Sequence, residues 1–349
     1  MDRLKIEAFL DRFLDLASGA TTIGLLAVAD RSGLSAYLGT GSGGTSIEIA
    51  EGAGLDPRYV QEILSGLAAA GVVAYDSGTE RFELPPEHAL FVSDEDSPYF
   101  MGGWFDMIPA VMGQLDRVAA ATVHGGGVEF EQFGPALIRG IDRGNGPSQR
   151  VFLTTRWLPA VPGLAGRLES GIRVADVGCG SGNAVILMAQ AFPECQVFGF
   201  DISQESIDLA SERSKAIPNA RFQVAGVEDI PVDPGFDLIT SFDVIHDLAD
   251  PLTGLRRIRE SLSDNGRYLM LEPHASSDLA DNLHPRGSLL YGISTLLCMT
   301  QSLAGGGEGL GAAWGWQRAE RYAADAGFSR FEMLEDISNR FSAFYLLSP

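Results

Sequence analysis

The 349-residue sequence predicts an α/β protein in which a mostly α-helical domain precedes a doubly wound, parallel sheet of about seven strands. From Arg173 onward, short apolar runs alternate with helical stretches, which is the pattern of βαβ units. Before that point the apolar residues follow helical spacing instead. At ~100–200 residues per domain, the length also predicts two domains.

Patterns before residue 98 predict a helix-turn-helix followed by a wing. Apolar spacing predicts one helix over Leu4–Leu16 and another over about Thr21–Leu38. The segment 45–48 is a capping box, and Asp56-Pro57 is an N-cap followed by proline, so two further helices are expected. Two short strands joined by a turn complete the wing, at Val72–Tyr75 and Arg81–Leu84. These elements define a predicted winged-helix domain over residues 1–97.

The rest of the chain is predicted to hold a helical linker and the sheet domain. Helices are expected over 98–165, with breaks at the glycines of 125–127 and 144–147. They are also expected to form one wall of an active site in the sheet domain. The second domain is expected over 166–349, with a lid insertion over 275–316 that far exceeds the ~2–6 residues of an ordinary βα loop. The predicted strands are 173–177, 196–200, 221–225, 236–241, 266–271, 330–335 and 340–347.

The composition is acidic, which limits the partners the protein can have. Asp and Glu number 46 against 25 Lys and Arg, giving a formal net charge of −21. Basic side chains supply most of the affinity for nucleic acids and for anionic membranes, so neither partner is expected. Residues 45–90 of the predicted winged helix contain eight acids and two arginines. This segment is therefore a poor phosphate clamp and a better dimer scaffold.

The N-terminus and the cysteines bear on location. No basic segment followed by an apolar one begins the chain, so no signal peptide is expected. The apolar run Ile23–Ala29 is too short to cross a bilayer. The cysteines at 179, 195 and 298 lack CxxC spacing, which argues against a disulfide framework and a cysteine-based zinc site. A cytoplasmic location is expected, with no bound metal.

The most informative segment is the glycine-rich loop Gly178–Asn183, between a predicted strand and a predicted helix. Its three glycines let the backbone approach a ligand, and the helix N-terminus offers unpaired amides. The next strand ends in Asp201, where a carboxylate is placed to accept hydrogen bonds from ribose hydroxyls. The Gly-x-Gly-x-Gly spacing, with Asn183 in place of a third glycine of dinucleotide folds, favours S-adenosylmethionine (SAM) over NAD.

These residues resemble the class I SAM-dependent methyltransferases, which have a Rossmann-like doubly wound sheet. The resemblance implies that the loop contacts the methionine part of SAM, that Asp201 holds the ribose, and that S-adenosylhomocysteine is the product. Where the family commonly has an aspartate for adenine, this chain has Gly226, so Glu228, Asp229 or the backbone of Val227 is left for that contact. The implied cofactor-binding residues are Asp176, Gly178, Cys179, Gly180, Gly182, Asp201, Ile202, Val227, Glu228, Phe242 and Asp243.

The loop after the fourth strand contains His246-Asp247-Leu248, which looks like the His-Asp-Trp motif of small-molecule O-methyltransferases of secondary metabolism. In that family the histidine is the general base and the aspartate orients it. His246 is accordingly either a catalytic base or a brace for the site, and Asp247 is either its orienting partner or a helix cap. His274 is a second catalytic candidate, whereas Glu272 at the end of strand five is of a type that more often caps a turn.

Three functions follow from these observations. The first is SAM-dependent methyl transfer to a small-molecule hydroxyl by a homodimer that pairs through its winged helices. The second keeps the fold and SAM but catalyses a non-methylating reaction, such as rearrangement or decarboxylation. The third is a winged-helix transcriptional regulator. In the insertion, Glu308 has no readable role, and four large side chains either line an acceptor pocket or belong to the core, namely Tyr291, Met299, Trp314 and Trp316.

Overall fold

The computed structural model describes all residues, 1–349, in two compact units. One unit contains residues 1–110 and 139–148, and the other contains residues 111–138 and 149–349. Residues of the predicted linker, 98–165, therefore occur in both units. The predicted domain limits at 97 and 165 stay predictions.

The first unit contains the helix-turn-helix and its wing. Thr45 caps the helix Ser46–Ala53 through the predicted capping box, and Asp56 caps the helix Pro57–Ala69 by accepting from the amides of Arg58 and Tyr59. The core of this unit is a cluster of aliphatic side chains from its first four helices together with Phe82 of the wing. The elements are α1 (Arg3–Arg31), α2 (Leu34–Gly39), α3 (Ser46–Ala53), α4 (Pro57–Ala69), β1 (Ala74–Asp76), β2 (Arg81–Glu83), antiparallel to β1, and α5 (Pro86–Val92).

The prediction of two separate helices at the N-terminus was wrong, because α1 is continuous from Arg3 to Arg31. The segment 17–21 contains no proline, and the Thr21 hydroxyl donates back to the carbonyls of Ala17 and Ser18 without breaking the helix. By length and composition alone, α1 could cross a membrane, which the short run Ile23–Ala29 did not suggest. A single such helix near an N-terminus is weak evidence for a span.

Beyond α5 the chain is helical up to the sheet. The helices are α6 (Gly103–Met112), α7 (Leu115–His124), α8 (Pro135–Phe152) and α9 (Leu164–Ser170), with a π turn at Leu153–Trp157. The predicted break at 125–127 is present, but the predicted break at 144–147 is not, since α8 runs through it. Gly103 lies against Gly140 and Gly144 so closely that a Cβ would collide with their backbones. These glycines therefore serve close helix packing and not helix termination.

The second unit contains a seven-stranded sheet, which confirms the predicted α/β fold class. The strands are β3 (Arg173–Val177), β4 (Gln196–Asp201), β5 (Ala220–Val224), β6 (Phe236–Phe242), β7 (Leu262–Pro273), β8 (Arg330–Met333) and β9 (Ser342–Ser348). Their order in the sheet is β5-β4-β3-β6-β7-β9-β8, and all pairs are parallel except those of β9.

The strand order reverses between β3 and β6, and this switch point positions the site. The carboxyl ends of β3, β4, β6 and β7 meet at one edge of the sheet, where ligands of such folds bind. Two apolar clusters cover the faces of the sheet, so the strands themselves are fixed by burial. The remaining helices are α10 (Asn183–Ala191), α11 (Gln204–Arg213), α12 (Pro251–Glu260), α13 (Pro285–Ile293), α14 (Met299–Ala304) and α15 (Trp316–Asp325), with a π turn at Ser294–Cys298.

Candidate active site

The glycine-rich loop joins β3 to α10 and is held by Asp201 at the tip of β4. The Gly180 amide donates to Oδ2 of Asp201 at 2.8 Å, and the Ser203 amide donates to Oδ1 at 2.8 Å. Each carboxylate oxygen keeps a second lone pair for another donor. Burial raises the pKa of Asp201, although both amides act to lower it. Asp201 is therefore a fixed acceptor beside the loop.

Gly180 leaves open space next to this carboxylate. Its φ of +52° lies in the left-handed region, and beyond its own chain neighbours no heavy atom lies within 4 Å of where a Cβ would stand. Gly178 instead allows packing, because a Cβ there would lie 2.5 Å from Cγ2 of Val244 in the loop after β6. Gly182 precedes α10 and packs against Phe222. The loop thus presents backbone atoms to the space above Gly180.

Asp176 supports the loop from its buried side. Its Oδ1 accepts a hydrogen bond from the Thr240 hydroxyl at 2.6 Å. Burial and the charge of Asp201 raise the pKa of Asp176 to about 7. Cys179 is also buried, and burial raises the pKa of its thiol. Both side chains face the interior, so they act on the loop through packing and hydrogen bonds.

The turn after β5 places the Glu228 carboxylate beside Gly226, the position where the related methyltransferases commonly have an aspartate. A Cβ on Gly226 would lie 2.7–2.9 Å from the carboxylate atoms of Glu228. The Glu228 side chain therefore occupies the space that an aspartate at position 226 would enter. Glu228 and Asp229 are exposed, whereas Val227 is buried in the core. Ile202, which follows Asp201, is 68% exposed.

The strand β6 ends at Phe242 and Asp243, at the switch point of the sheet. Phe242 is buried and packs against Trp157 with the ring centroids 5.9 Å apart. Asp243 has a φ of +59°, which is uncommon for a residue other than glycine. Burial raises the pKa of its carboxyl group to about 7. Strained backbone of this kind concentrates at functional sites, and here it turns the chain toward His246.

His246 lies at the centre of a buried hydrogen-bonded cluster and is 2% exposed. Its Nδ1 lies 2.6 Å from Oε2 of Glu272, which also accepts from Nε1 of Trp314 at 3.0 Å. The Ile245 amide donates to Oε1 of Glu272 at 2.9 Å. Since Oε2 of Glu272 already accepts from Trp314, it is placed to accept from Nδ1 as well, and this pairing leaves Nε2 as the nitrogen free for other partners.

The Nε2 atom of His246 faces Asp247 and Cys298. It lies 3.3 Å from Oδ1 of Asp247, and Sγ of Cys298 is within 4.8 Å of both groups. Burial opposes the charged form of His246, but the carboxylates of Asp247 and Glu272 outweigh it and raise its pKa well above the usual value. No sequence pattern pointed to Cys298, which lies in an apolar helical stretch 52 residues beyond His246.

The structure assigns the capping role at the start of α12 to Asp250, and not to Asp247. Asp250 caps α12, since its Oδ1 accepts from the Thr253 amide at 2.9 Å, and this leaves Asp247 facing His246. Glu272 does cap a backbone amide, as its position at the strand end suggested. It also holds His246, which the sequence did not indicate.

His274 does not join this cluster. Its Nδ1 lies 2.5 Å from the carbonyl oxygen of Asn339, and its amide donates to the carbonyl of Phe341. The structure thus brings His246, Asp247 and Glu272 together, and places His274 against the chain that leads into β9.

The large side chains of the insertion have mixed surroundings. Trp314 is buried and donates to Glu272, so it belongs to the His246 cluster and not to an open wall. Tyr291 accepts from the side-chain amide of Asn282, and Trp316 is exposed. Met299 is half-buried. Glu308 accepts a hydrogen bond from the Tyr322 hydroxyl, which gives it a structural contact the sequence did not reveal.

The insertion is tied to the His246 loop by hydrogen bonds to backbone carbonyls. The Gly311 amide donates to the carbonyl of His246 at 3.2 Å, and the Glu308 amide donates to that of Ala249 at 3.1 Å. The Ser302 hydroxyl donates to the carbonyl of Leu248 at 2.8 Å. Three consecutive regions of the insertion therefore hold the loop 246–249.

The residues at the sheet edge fit SAM. The open space at Gly180 lies beside a carboxylate with unused lone pairs, which suits the two hydroxyls of a ribose. The backbone at 178–182 lies beside this acceptor, and the Glu228 carboxylate is exposed in the turn after β5. The carboxyl groups of Asp243, Asp247 and Glu272 around His246 suit a positively charged sulfur.

Two families match the chain. Residues 168–327 match the family described as a methyltransferase domain, and residues 19–94 match the Rv2258c-like winged HTH domain. One relative is the uncharacterized methyltransferase YcgJ of Bacillus subtilis (strain 168), 31% identical over 109 residues, which cover 30% of this chain and 42% of YcgJ. The chain spans about half the length of the curated relatives it matches.

Solved structures match over almost the whole chain. Mitomycin 7-O-methyltransferase MmcR has a TM-score of 0.73 and 17% identity, with 100% of both chains covered. Human N-acetylserotonin methyltransferase in complex with SAM has a TM-score of 0.69 and 19% identity, with 100% of this chain and 98% of that chain covered. At these identities the likeness establishes the fold, and the domain match implies SAM as the cofactor. The chain thus joins a winged HTH domain at residues 19–94 to a methyltransferase domain at residues 168–327.

Proposed function

We propose that the protein transfers the methyl group of SAM to a hydroxyl of a small-molecule acceptor, with His246 as the general base. The 2.6 Å pair between Nδ1 of His246 and Glu272 carries the proposal, because it leaves Nε2 as the nitrogen that can take a proton. Since the neighbouring carboxylates raise the pKa of His246, the neutral ring that acts as the base forms only as the pH rises past that raised pKa, and the rate of methyl transfer should rise with pH accordingly. The names of the two structural neighbours, both methyltransferases of small molecules, support the acceptor class.

In this mechanism the protein binds SAM, orients the acceptor and moves one proton. When bound, SAM supplies an electrophilic methyl group on a positively charged sulfur. Asp201 holds the ribose hydroxyls, and Glu228 takes the place of the missing acid at Gly226. His246 accepts the hydroxyl proton at Nε2, while the carboxylates of Glu272 and Asp247 stabilise the resulting imidazolium.

A second candidate keeps SAM but transfers no methyl group. The burial of His246, at 2% exposure, favours it, since a base must meet its acceptor. Incubating the protein with SAM and a panel of hydroxylated small molecules separates the two candidates by mass spectrometry. We expect S-adenosylhomocysteine and a methylated acceptor in equal amounts. An acceptor that is converted without S-adenosylhomocysteine would select the second candidate.

The Glu228 assignment predicts a weaker cofactor complex when that carboxylate is removed. We expect Glu228→Ala to raise the Kd for SAM about tenfold, as loss of one charge-assisted hydrogen bond implies, with kcat unchanged. Adding Gly226→Asp should restore binding, because the alanine vacates the space that the new side chain needs. Calorimetric titration with SAM measures both effects.

The neighbouring acid offers a matched control for this experiment. Asp229 is exposed in the same turn, so Asp229→Ala should leave the Kd within about twofold. If Asp229→Ala weakens SAM binding and Glu228→Ala does not, the adenine contact belongs to Asp229. If the second substitution at Gly226 fails to restore binding, the equivalence of the two carboxylate positions is wrong.

We also propose that the chain forms a homodimer through its N-terminal unit. The first part of α1 exposes large apolar side chains, of which Leu4 is 76% and Phe9 is 68% exposed. Such a surface is a typical protein interface. Residues 3–15 also contain six charged side chains, which suit an interface rim better than a bilayer.

Light scattering tests the dimer directly. We expect twice the chain mass for the wild type and one chain mass for Phe9→Ser combined with Phe13→Ser, both exposed on α1. The exposed residue Ser18, changed to Ala, serves as a control on the same helix. A monomeric wild type that floats with liposomes would instead indicate that α1 binds membranes.

A further inference from the structure

The proposed methyl transfer makes no use of Cys298, although its thiol adjoins the base. Cys298 ends the π turn at Ser294–Cys298 and is buried. Its Sγ, one ring nitrogen of His246 and a carboxylate oxygen of Asp247 all lie within 4.8 Å of one another. A thiol, an imidazole and a carboxylate thus converge on one buried point.

The Asp247 carboxylate has an unsatisfied atom at this point. Its Oδ1 is buried without a hydrogen-bond partner, and lies 3.3 Å from Nε2 of His246 without the geometry of a hydrogen bond. A buried polar atom left in this way costs about 1–3 kcal/mol. Such atoms call for an explanation, and a bound ion is one such explanation.

His246 is oriented as metal-binding histidines are. Its Nδ1 is held at 2.6 Å by Glu272, which is itself fixed by Trp314 and by the Ile245 amide. Metal-binding histidines almost always direct the second ring nitrogen to a carboxylate or carbonyl in this way. The Nε2 lone pair is consequently fixed toward Asp247 and Cys298.

We propose that Nε2 of His246, the carboxylate of Asp247 and Sγ of Cys298 bind a divalent transition metal ion of the zinc class. Bond lengths of ~2.0–2.3 Å in a tetrahedral site separate ligand atoms by about 3.3–3.8 Å, which the 3.3 Å Nε2–Oδ1 distance matches. A sulfur and a nitrogen donor exclude Ca²⁺ and Mg²⁺, which take oxygen ligands.

Charge and coordination both balance in this site. On binding, the Cys298 thiol releases its proton to solvent, and the thiolate and the Asp247 carboxylate together neutralise the 2+ ion. Three protein ligands leave a fourth position for water. The cysteine spacing could not indicate such a site, because its ligands are a histidine-aspartate pair and a single cysteine 51 residues beyond it.

Occupancy of this site would oppose the proposed methyl transfer. A metal on Nε2 uses the lone pair that the base needs, so the ion acts as an inhibitor and not as a cofactor. Binding of the ion itself does not depend on the proposed function. Only the inhibition rests on it.

Titration of the full-length chain with Co²⁺ tests the site by absorption. We expect one Co²⁺ per chain, with a thiolate-to-cobalt charge-transfer band and visible d–d bands that Zn²⁺ abolishes. Cys298→Ala should remove the charge-transfer band. Cys195→Ala should not, because that buried thiol contacts the carbonyl of Leu168 instead. A band that survives Cys298→Ala, or an absence of bands in the wild type, overturns the proposal.

Two further measurements keep folding and function separate from binding. Cys298→Ser preserves side-chain size, and the melting temperature and SAM affinity of this variant report whether its fold is intact. Loss of the charge-transfer band in the folded variant supports the metal site. Retention of the band overturns it. Co²⁺ bands in a wild type that methylates no acceptor would support the metal site while the proposed function fails. Methyl transfer without Co²⁺ bands would support the proposed function and overturn the metal site.

Discussion

His246→Gln is expected to lower kcat by roughly 10²–10⁴ while the Kd for SAM stays within about threefold. Glutamine keeps a polar group near Glu272 and Asp247 but cannot take the acceptor proton at the position of Nε2. The loss should therefore fall on the chemical step. Single-turnover formation of S-adenosylhomocysteine measures that step, and calorimetry measures SAM binding separately.

The matched control is His124→Gln, a histidine exposed at the end of α7, which should leave both quantities unchanged. If His246→Gln keeps its rate and His274→Gln loses it, the base is His274. If His246→Gln instead abolishes SAM binding, His246 is a brace for the site.

Glu272→Gln tests whether Glu272 positions His246. An amide facing Nδ1 favours the wrong tautomer of the ring, so we expect at least a tenfold fall in kcat with little change in KM.

Asp201→Asn is expected to raise the Kd for SAM by about 10² or more. The carboxylate holds the glycine-rich loop through the Gly180 and Ser203 amides and is also the acceptor proposed for two ribose hydroxyls. The amide NH₂ of asparagine faces one of those backbone donors and cannot accept from it. Several charge-assisted hydrogen bonds, at about 1.5–3 kcal/mol each, are thus weakened together.

Asp208→Asn provides the control, because Asp208 is an exposed acid on α11 whose carboxylate accepts a hydrogen bond from the Gln204 side chain. It should bind SAM like the wild type. A SAM analogue without one ribose hydroxyl sharpens the assignment: it should lose affinity for the wild type and lose less for Asp201→Asn. Equal losses for both proteins would show that Asp201 does not bind the ribose and only holds the glycine-rich loop.

Local patterns were enough to predict the sheet and its ligand-binding edge. The runs before Gly178 and Asp201 are apolar because parallel strands are buried on both faces, so strand limits and strand ends could be read together. Glycine spacing reports backbone freedom, which is also a local property. The loop, Asp201 and the segment at His246 therefore all lie at the predicted edge of the sheet.

Contacts between distant segments could not be predicted in the same way. Glu272, Trp314 and Cys298 surround His246 only because β7 and the insertion fold over the end of β6. No spacing rule relates their positions in the chain. Likewise, the predicted helix break at 144–147 is absent, and in the structure Gly144 allows close packing with Gly103. A local pattern does not distinguish these two uses of glycine.

The hydrogen bonds between the insertion and the loop 246–249 determine how freely the insertion can change in sequence. Two of the three donors are backbone amides, at Glu308 and Gly311, and all three acceptors are backbone carbonyls. Side chains on α13 and α14 can therefore be replaced without removing most of these attachments. The insertion can thus diverge in sequence while the loop that carries His246 keeps its conformation.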